Sequence, residues 1–357
     1  MSKRISAVRE RLIQEDIDAI LITNPYNLRY VAHFTGTAGV AVITHDEAWF
    51  ITDSRYTEQA THQAKEFEVI THQAGWIHEL APRLLKAGVR DLAFESEHVT
   101  YGMFDQLNEI LSVSLVSTTN WIADIRQVKE PEELAIIQKA CSIADEAFSF
   151  ILDYIKPGQT EIEVANALDF KMRELGATEV SFDTIVASGV RGAMPHGVAS
   201  DKVIEAGDMV TIDFGCYYKG YVSDMTRTFS IGTANEDLQK VHAAVLEAAQ
   251  AGREAVKPGM TGIEVDRVVR DYLNEKGYGE YFTHSTGHGI GLEIHEGPAI
   301  SSRSTVRLEP GHVITIEPGV YIPGLGGVRI EDDLLVTEDG AKVLTHSDRH
   351  LIEVTPR

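Results

Sequence analysis

The sequence predicts an α/β N-terminal domain over residues 1–122, followed by an α+β domain with an internal duplication over residues 123–357. Three observations predict it. Short β-rich runs alternate with helical lengths in the first part. A long, one-faced helix opens the second part. Beyond that helix, two phrases recur in the same order about 100 residues further on.

Residues 3–15 have helical amphipathicity, and the runs at 18–23, 39–44, 48–53, 67–71 and 92–96 read as strands. A further helix opens at 55–60, so the first domain is expected to hold a mixed sheet. No catalytic pattern stands out in it, since Asp53, Arg55 and six histidines are scattered. The boundary is legible at Val-Lys-Glu-Pro, residues 128–131. Pro131 suits a first helical turn, and Glu132 and Glu133 follow where the helix dipole favours acids. Apolar residues at 134, 137, 141, 144, 148, 151 and 155 then share one buried face, up to Lys-Pro-Gly at 156–158. Cys141 lies on that face and reads as a buried, inert thiol.

The duplication follows. Residues 156–164 (KPGQTEIEV) match 257–265 (KPGMTGIEV) at an offset of 101, and 205–215 (EAGDMVTIDFG) match 309–319 (EPGHVITIEPG) at an offset of 104. Two similar halves about a pseudo-two-fold axis are expected, with a site at their junction drawing equivalent residues from each.

Composition narrows the function. The 357 residues are 43% hydrophobic and carry 54 Asp+Glu against 32 Lys+Arg, a net charge of −22. Residues 123–357 hold −16 of this and residues 1–122 hold −6. So acidic a chain argues against nucleic-acid and anionic-membrane partners. No apolar run approaches the ~18 residues of a membrane span, and the N-terminus lacks the pattern of a signal peptide. Cys141 and Cys216 give neither a disulfide framework nor zinc-finger spacing. A cytoplasmic protein is expected.

The duplicated phrase ends on a carboxylate in each half, Asp213 and Glu317, within otherwise apolar β-rich runs. A buried carboxylate is costly unless it is paired or binds a metal. A hairpin turning near 218–220 with a two-residue loop would put Asp213 and Asp224 on one face. The same logic brings Glu331 back beside Glu317. A glycine-rich stretch at 283–291 offers a nitrogen ligand from His284 or His288. Four acids and one imidazole suit two divalent cations, with manganese, iron, cobalt or zinc favoured over copper or calcium.

Seven motifs then share an order with a known family: MPHG (194–197), TIDFG (211–215), SDMTRT (223–228), GHGIG (287–291), IHEGP (294–298), TIEPG (315–319) and VRIEDD (328–333). The chain resembles the metallopeptidases that include methionine aminopeptidase, prolidase (Xaa-Pro dipeptidase) and aminopeptidase P. The resemblance implies a creatinase/prolidase-type N-terminal domain and a "pita-bread" catalytic domain. It makes Asp213, Asp224, His288, Glu317 and Glu331 the ligands of two divalent metals, manganese first, with Asp224 and Glu331 bridging. All five are present, unlike the metal-free creatinase relatives. The cations would acidify a shared water into a hydroxide nucleophile, Glu317 would move its proton to the leaving amine, and His295 would stabilise the oxyanion. His196 would contact the scissile amide or substrate, and its offset of 99 from His295 nearly matches the duplication. His284 reads equally as a substrate-side group or a loop brace. Arg329, two residues before Glu331, resembles the proline-directed members and can also neutralise the acids.

The resulting expectation is a cytoplasmic, homodimeric metallo-exopeptidase cleaving before proline at position two, in Xaa-Pro dipeptides, Xaa-Pro-peptides or both. The competing readings are a non-catalytic binding module on the same fold and a methionine-removing aminopeptidase. The intact ligand set opposes the first, while the N-terminal domain and Arg329 oppose the second. No GxSxG, GxxxxGK[ST] or HExxH pattern supports other chemistry.

Overall fold

A computed structural model describes residues 3–355. The chain forms two compact units that divide after Arg126. The first runs α1 (Lys3–Gln14), β1 (Ala19–Ile22), α2 (Pro25–Ala32), β2 (Val40–Thr44), β3 (Ala48–Thr52), α3 (Thr57–Gln63), β4 (Glu68–Thr71), α4 (Trp76–Lys86), β5 (Asp91–Glu95), α5 (Tyr101–Ile110), β6 (Ser114–Thr118) and α6 (Trp121–Arg126). Its strands form one mixed sheet in the spatial order β4-β3-β2-β1-β5-β6. β6 is an edge strand with Ser114 and Ser117 exposed, so its apolar signal is weak. The unit ends at 126 rather than 122 because α6 stays with it. Arg11 stacks on Trp121 at 5.3 Å, and Arg126 donates to Asn27 Oδ1 at 2.6 Å.

The second unit is duplicated. Its first half contains α7 (Pro131–Tyr154), α8 (Glu161–Glu174), β7 (Glu179–Val180), β8 (Ile185–Ser188), β9 (Met209–Phe214), β10 (Cys216–Tyr218), β11 (Tyr221–Val222) and β12 (Met225–Ile231). Its second half contains α9 (Glu236–Ala255), α10 (Gly262–Glu275), β13 (Gly287–Gly289), β14 (Glu296–Ile300), β15 (Val313–Ile316), β16 (Gly319–Ile322), β17 (Gly326–Arg329), β18 (Asp332–Val336) and β19 (Ala341–Val343). A last strand, β20 (Glu353–Val354), joins the first half's sheet beside β12. That sheet reads β20-β12-β9-β8, and its counterpart reads β14-β13-β15-β18-β19.

The repeated phrases fold alike at the atomic level. Gly158 and Gly259 take φ of 92° and 87°, as the Lys-Pro-Gly turn requires. Thr160 then caps α8 and Thr261 caps α10, each accepting from the backbone N–H three residues later, at Glu163 N (3.2 Å) and Glu264 N (3.3 Å). Both glutamates reach back to the capping residue's backbone N at 2.7 Å. This reciprocal capping box satisfies donors that a helix start leaves unpaired.

Helix α7 buries the expected face, with Ile137, Cys141, Ala144, Phe148 and Ile151 all inaccessible. Phe148 meets Phe214 of β9 and Phe229 of β12 at ring-centroid distances of 6.5 and 5.9 Å. The helix thereby backs the two strands that flank Asp213 and Asp224. Phe148→Ala is expected to cost about 3–5 kcal/mol, read from guanidinium unfolding of the catalytic unit.

Candidate active site

Register explains how the acids meet. β9 and β12 pair Asp213 with Thr226, and β10 and β11 pair Tyr217 with Val222, in one continuous frame. The loop between β10 and β11 is Lys219–Gly220, with φ of 47° and 85°. Positive φ at both central residues is the signature of a two-residue hairpin turn whose twist suits the strands. Asp224 therefore lies diagonal to Asp213 on the same face. In the second half, Ile316 pairs with Asp332 and Gly319 with Arg329, so the shared frame puts Glu317 opposite Glu331. The two-residue parity argument holds in the first hairpin; the second closes through three residues, 323–325, and its even-summing register sets Glu317 directly across from Glu331.

His288 enters from β13. Its Nδ1 lies 3.0 Å from Gly289 O, which suits an Nδ1–H donor and leaves Nε2 as the lone-pair nitrogen. Nε2 faces Asp224 Oδ2 at 3.5 Å and Glu317 Oε1 at 3.4 Å. One donor atom each from Asp224, His288 and Glu331 lies within 4.8 Å of the others, a spacing that can hold a metal ion. Asp213, beside that trio, is held by Arg329 Nη2 at 2.6 Å.

Burial and like charge dominate the electrostatics. Burial pushes the carboxyls of Asp224 and Glu331 well above the usual range, and the neighbouring acids push them further. Burial also raises Glu317, with His288 and Arg329 opposing it. Asp333, fully buried behind the group, is raised to about 7 by burial, and its Oδ2 accepts from Asp224 N at 2.9 Å. Cys141 contacts the same oxygen at 3.3 Å and its thiol is pushed up by burial, in keeping with an inert role.

Arg329 neutralises the acids and braces the wall. Besides Asp213 it donates to Thr226 Oγ1 (3.1 Å), Tyr321 OH (2.7 Å) and Pro195 O (3.2 Å). His284 also belongs to this brace, with Nε2 2.8 Å from Tyr321 OH and Nδ1 2.8 Å from Ser285 O. Burial drops its pKa to about 4, so the ring is neutral. His196 and His295 are exposed on the cavity lining, and the His295 ring stands 4.4 Å from that of His288.

Three residues of the centre take no individual role from the sequence, although two of them lie within the SDMTRT and VRIEDD motifs. Tyr321, Thr226 and Asp333 are recognisable only from register: Tyr321 shares a face with Glu317, and Thr226 faces Asp213 and donates to Glu331 Oε2 at 2.6 Å. Behind the centre, Asp332 accepts from Arg227 (2.8 Å), Arg253 (2.9 Å) and Arg349 (2.7 Å). The cavity in front holds about 470 Å³ and adds Phe182, Asp183 and Ile185 to the lining.

Comparison with known proteins fits this arrangement. Residues 135–338 match the model of metallopeptidase family M24, and residues 4–128 match the creatinase/prolidase N-terminal domain. The chain belongs to metallopeptidase family M24. It is 42% identical to an Xaa-Pro dipeptidase of Pyrococcus furiosus, over 99% of this chain and 100% of that protein. The structure of an Xaa-Pro dipeptidase from Bacillus anthracis is 50% identical, with a TM-score of 0.97 and coverage of 98% and 99%. An X-Pro aminopeptidase structure from Thermotoga maritima is 41% identical, with a TM-score of 0.91 and coverage of 97% and 99%. The pita-bread architecture and the creatinase-type first domain are thus those of the family.

An M24 metallopeptidase works with divalent metal, and the residues here suit that requirement. Asp213 Oδ1 and Asp224 Oδ1 are buried with no hydrogen-bond partner, and the acids outnumber the cations that face them. Hard oxygen donors with one imidazole match borderline divalent ions. The raised carboxyls also set a sign. Each binds protons in the folded chain at pH values where the unfolded chain has released them, so the metal-stripped fold loses stability as pH rises from about 4 towards the raised values. Bound cations remove that penalty. The Tm difference between metal-loaded and stripped protein is expected to widen from about pH 5 to about pH 8 in calorimetry.

Proposed function

We propose that this chain is an Xaa-Pro exopeptidase that hydrolyses the bond before a proline at position two, in dipeptides or short peptides. The observation carrying the proposal is the full-length likeness to an Xaa-Pro dipeptidase and an X-Pro aminopeptidase. It joins a cavity of about 470 Å³ that suits a pair of residues rather than a protein loop. Arg329 and its tie to Asp213 support the proline-directed assignment over methionine removal. The full set of acids facing the cavity supports an enzyme over a binding module.

Asp213, Asp224, His288, Glu317 and Glu331 would hold two divalent cations, manganese first, with cobalt, zinc or iron as alternatives. When bound, such cations supply Lewis acidity, polarising the scissile carbonyl and acidifying a water. The chain's own groups do the rest. Glu317, with its carboxyl raised by burial, takes a proton from the attacking water and delivers it to the leaving proline nitrogen. The delivery is needed because the nitrogen leaves as a neutral amine and not as an amide anion. His295, whose pKa is lowered by partial desolvation at the cavity wall, would donate a ring N–H to the developing oxyanion. His196, which also lines the cavity, would contact the scissile amide or the substrate. His284 and Arg329 shape the pocket through Tyr321 and orient Asp213.

The same reading takes the enzyme as a homodimer, on its resemblance to the family, and as cytoplasmic, on its composition and its two widely spaced cysteines. No described helix is long and apolar enough to cross a membrane.

Activity on Ala-Pro or Ala-Pro-Ala-Ala is expected to vanish on chelation and return with manganese or cobalt. Release of methionine from Met-Ala-Ser with neither proline substrate cleaved would overturn the assignment. Asp224→Asn and Glu331→Gln are expected to lower kcat about 10³-fold or more with the circular dichroism spectrum unchanged. Near-normal turnover in either would sink the metal role.

A further inference from the structure

The segment 188–200 carries His196 at its apex, and both of its ends land on one carboxylate. Glu161, the first residue of α8, has no solvent exposure. Its Oε1 accepts from Ser188 N and Ser188 Oγ, both at 2.8 Å. Its Oε2 accepts from Ser200 N at 3.1 Å and Ser200 Oγ at 2.7 Å, and from Arg191 Nη1. Five donors converge on a carboxylate with about four lone-pair sites, so its acceptor capacity is fully used. Arg191 spans the segment from inside, passing its other nitrogen to Val198 O at 3.0 Å.

Beyond these ties, the segment turns tightly on itself. Met194 N donates to Arg191 O, Gly197 N to Met194 O and Val198 N to His196 O. Arg329 adds a contact to Pro195 O from the acid side. The backbone that presents His196 is therefore fixed by Glu161 at its stem and by Arg329 at its tip.

The second half meets the same need from different positions. Asp266 of α10 accepts from Thr286 N (3.2 Å) and Thr286 Oγ1 (2.8 Å) and binds Arg270, which donates to Phe282 O (3.2 Å) and His284 O (2.9 Å). In the repeat frame Asp266 corresponds to Ala165, and Glu161 corresponds to Gly262. At Gly262 a Cβ would stand 2.2 Å from Ala299 O, so backbone packing replaces the carboxylate there. Buried acid, hydroxyl and arginine recur around each histidine-bearing loop although the repeat does not supply them at matched sites.

We propose that Glu161 is a positioning residue that clasps segment 188–200 and so presents His196 to the substrate. This rests on the reading of His196 as a substrate contact. Glu161 touches none of the candidate metal ligands, so its effect should appear in turnover of substrate and not in metal affinity.

The test is a double-mutant cycle on the full chain, with Ala-Pro and Ala-Pro-Ala-Ala hydrolysis and cobalt titration read for each variant. Glu161→Gln is expected to lower kcat/KM on the order of 10–100-fold, with cobalt affinity within about twofold of the parent. In the His196→Ala background the same change should add less than about threefold. Losses that multiply, or cobalt affinity that falls in step with activity, would overturn the clasp. If Glu161→Gln does not fold, Ser200→Ala replaces it, with a loss of a few fold that again disappears in the His196→Ala background. A silent His196→Ala overturns the substrate role and the clasp together. An impaired His196→Ala beside a fully active Glu161→Gln overturns the clasp alone.

Discussion

Confining several carboxylates in one poorly solvated place is the constraint on which the catalytic unit depends. Asp224, Glu331 and Asp333 are each nearly or fully buried, and Asp213 and Glu317 stand beside them. Like charges at such separations cannot all ionise without compensation. The chain answers in layers. Arg329 pairs with Asp213, Thr226 donates to Glu331, and the backbone of Asp224 donates to Asp333. Whatever remains uncompensated suits protons or divalent cations, and the choice between them links fold stability to metal.

Duplication makes this confinement geometrically cheap. Each half supplies a hairpin that ends in two acids on one face, reached by the same turn and the same capped helix. Joining the halves brings two like-charged pairs together, and the histidine of β13 completes the set. The loops that carry the other histidines are then free to differ. One is stemmed by Glu161, the other by Asp266.

Much of this was legible in the sequence because it depends on local parity. The strand runs at 18–23, 39–44 and 48–53 became β1, β2 and β3, and the helix beginning at Pro131 runs to Tyr154. Asp213 and Asp224 share a face because a two-residue loop fixes their register, and that is a property of consecutive residues. Tyr321, Thr226 and Glu161 were not legible for the opposite reason. Their partners lie far along the chain, at Arg329, Glu331 and Ser200, and a tyrosine or threonine in a strand looks the same with or without such a partner. The edge strand β6 and the membership of α6 in the first unit were hidden because weak amphipathicity gives little signal at a boundary.

The three arginines on Asp332 bear on synthesis. Arg227 comes from β12 and Arg253 from α9, but Arg349 follows every candidate ligand in chain order. A nascent chain therefore holds all four acids before it holds the last cation that locks their neighbour. Arg349 thereby ties the last segment of the chain to the strand that follows Glu331.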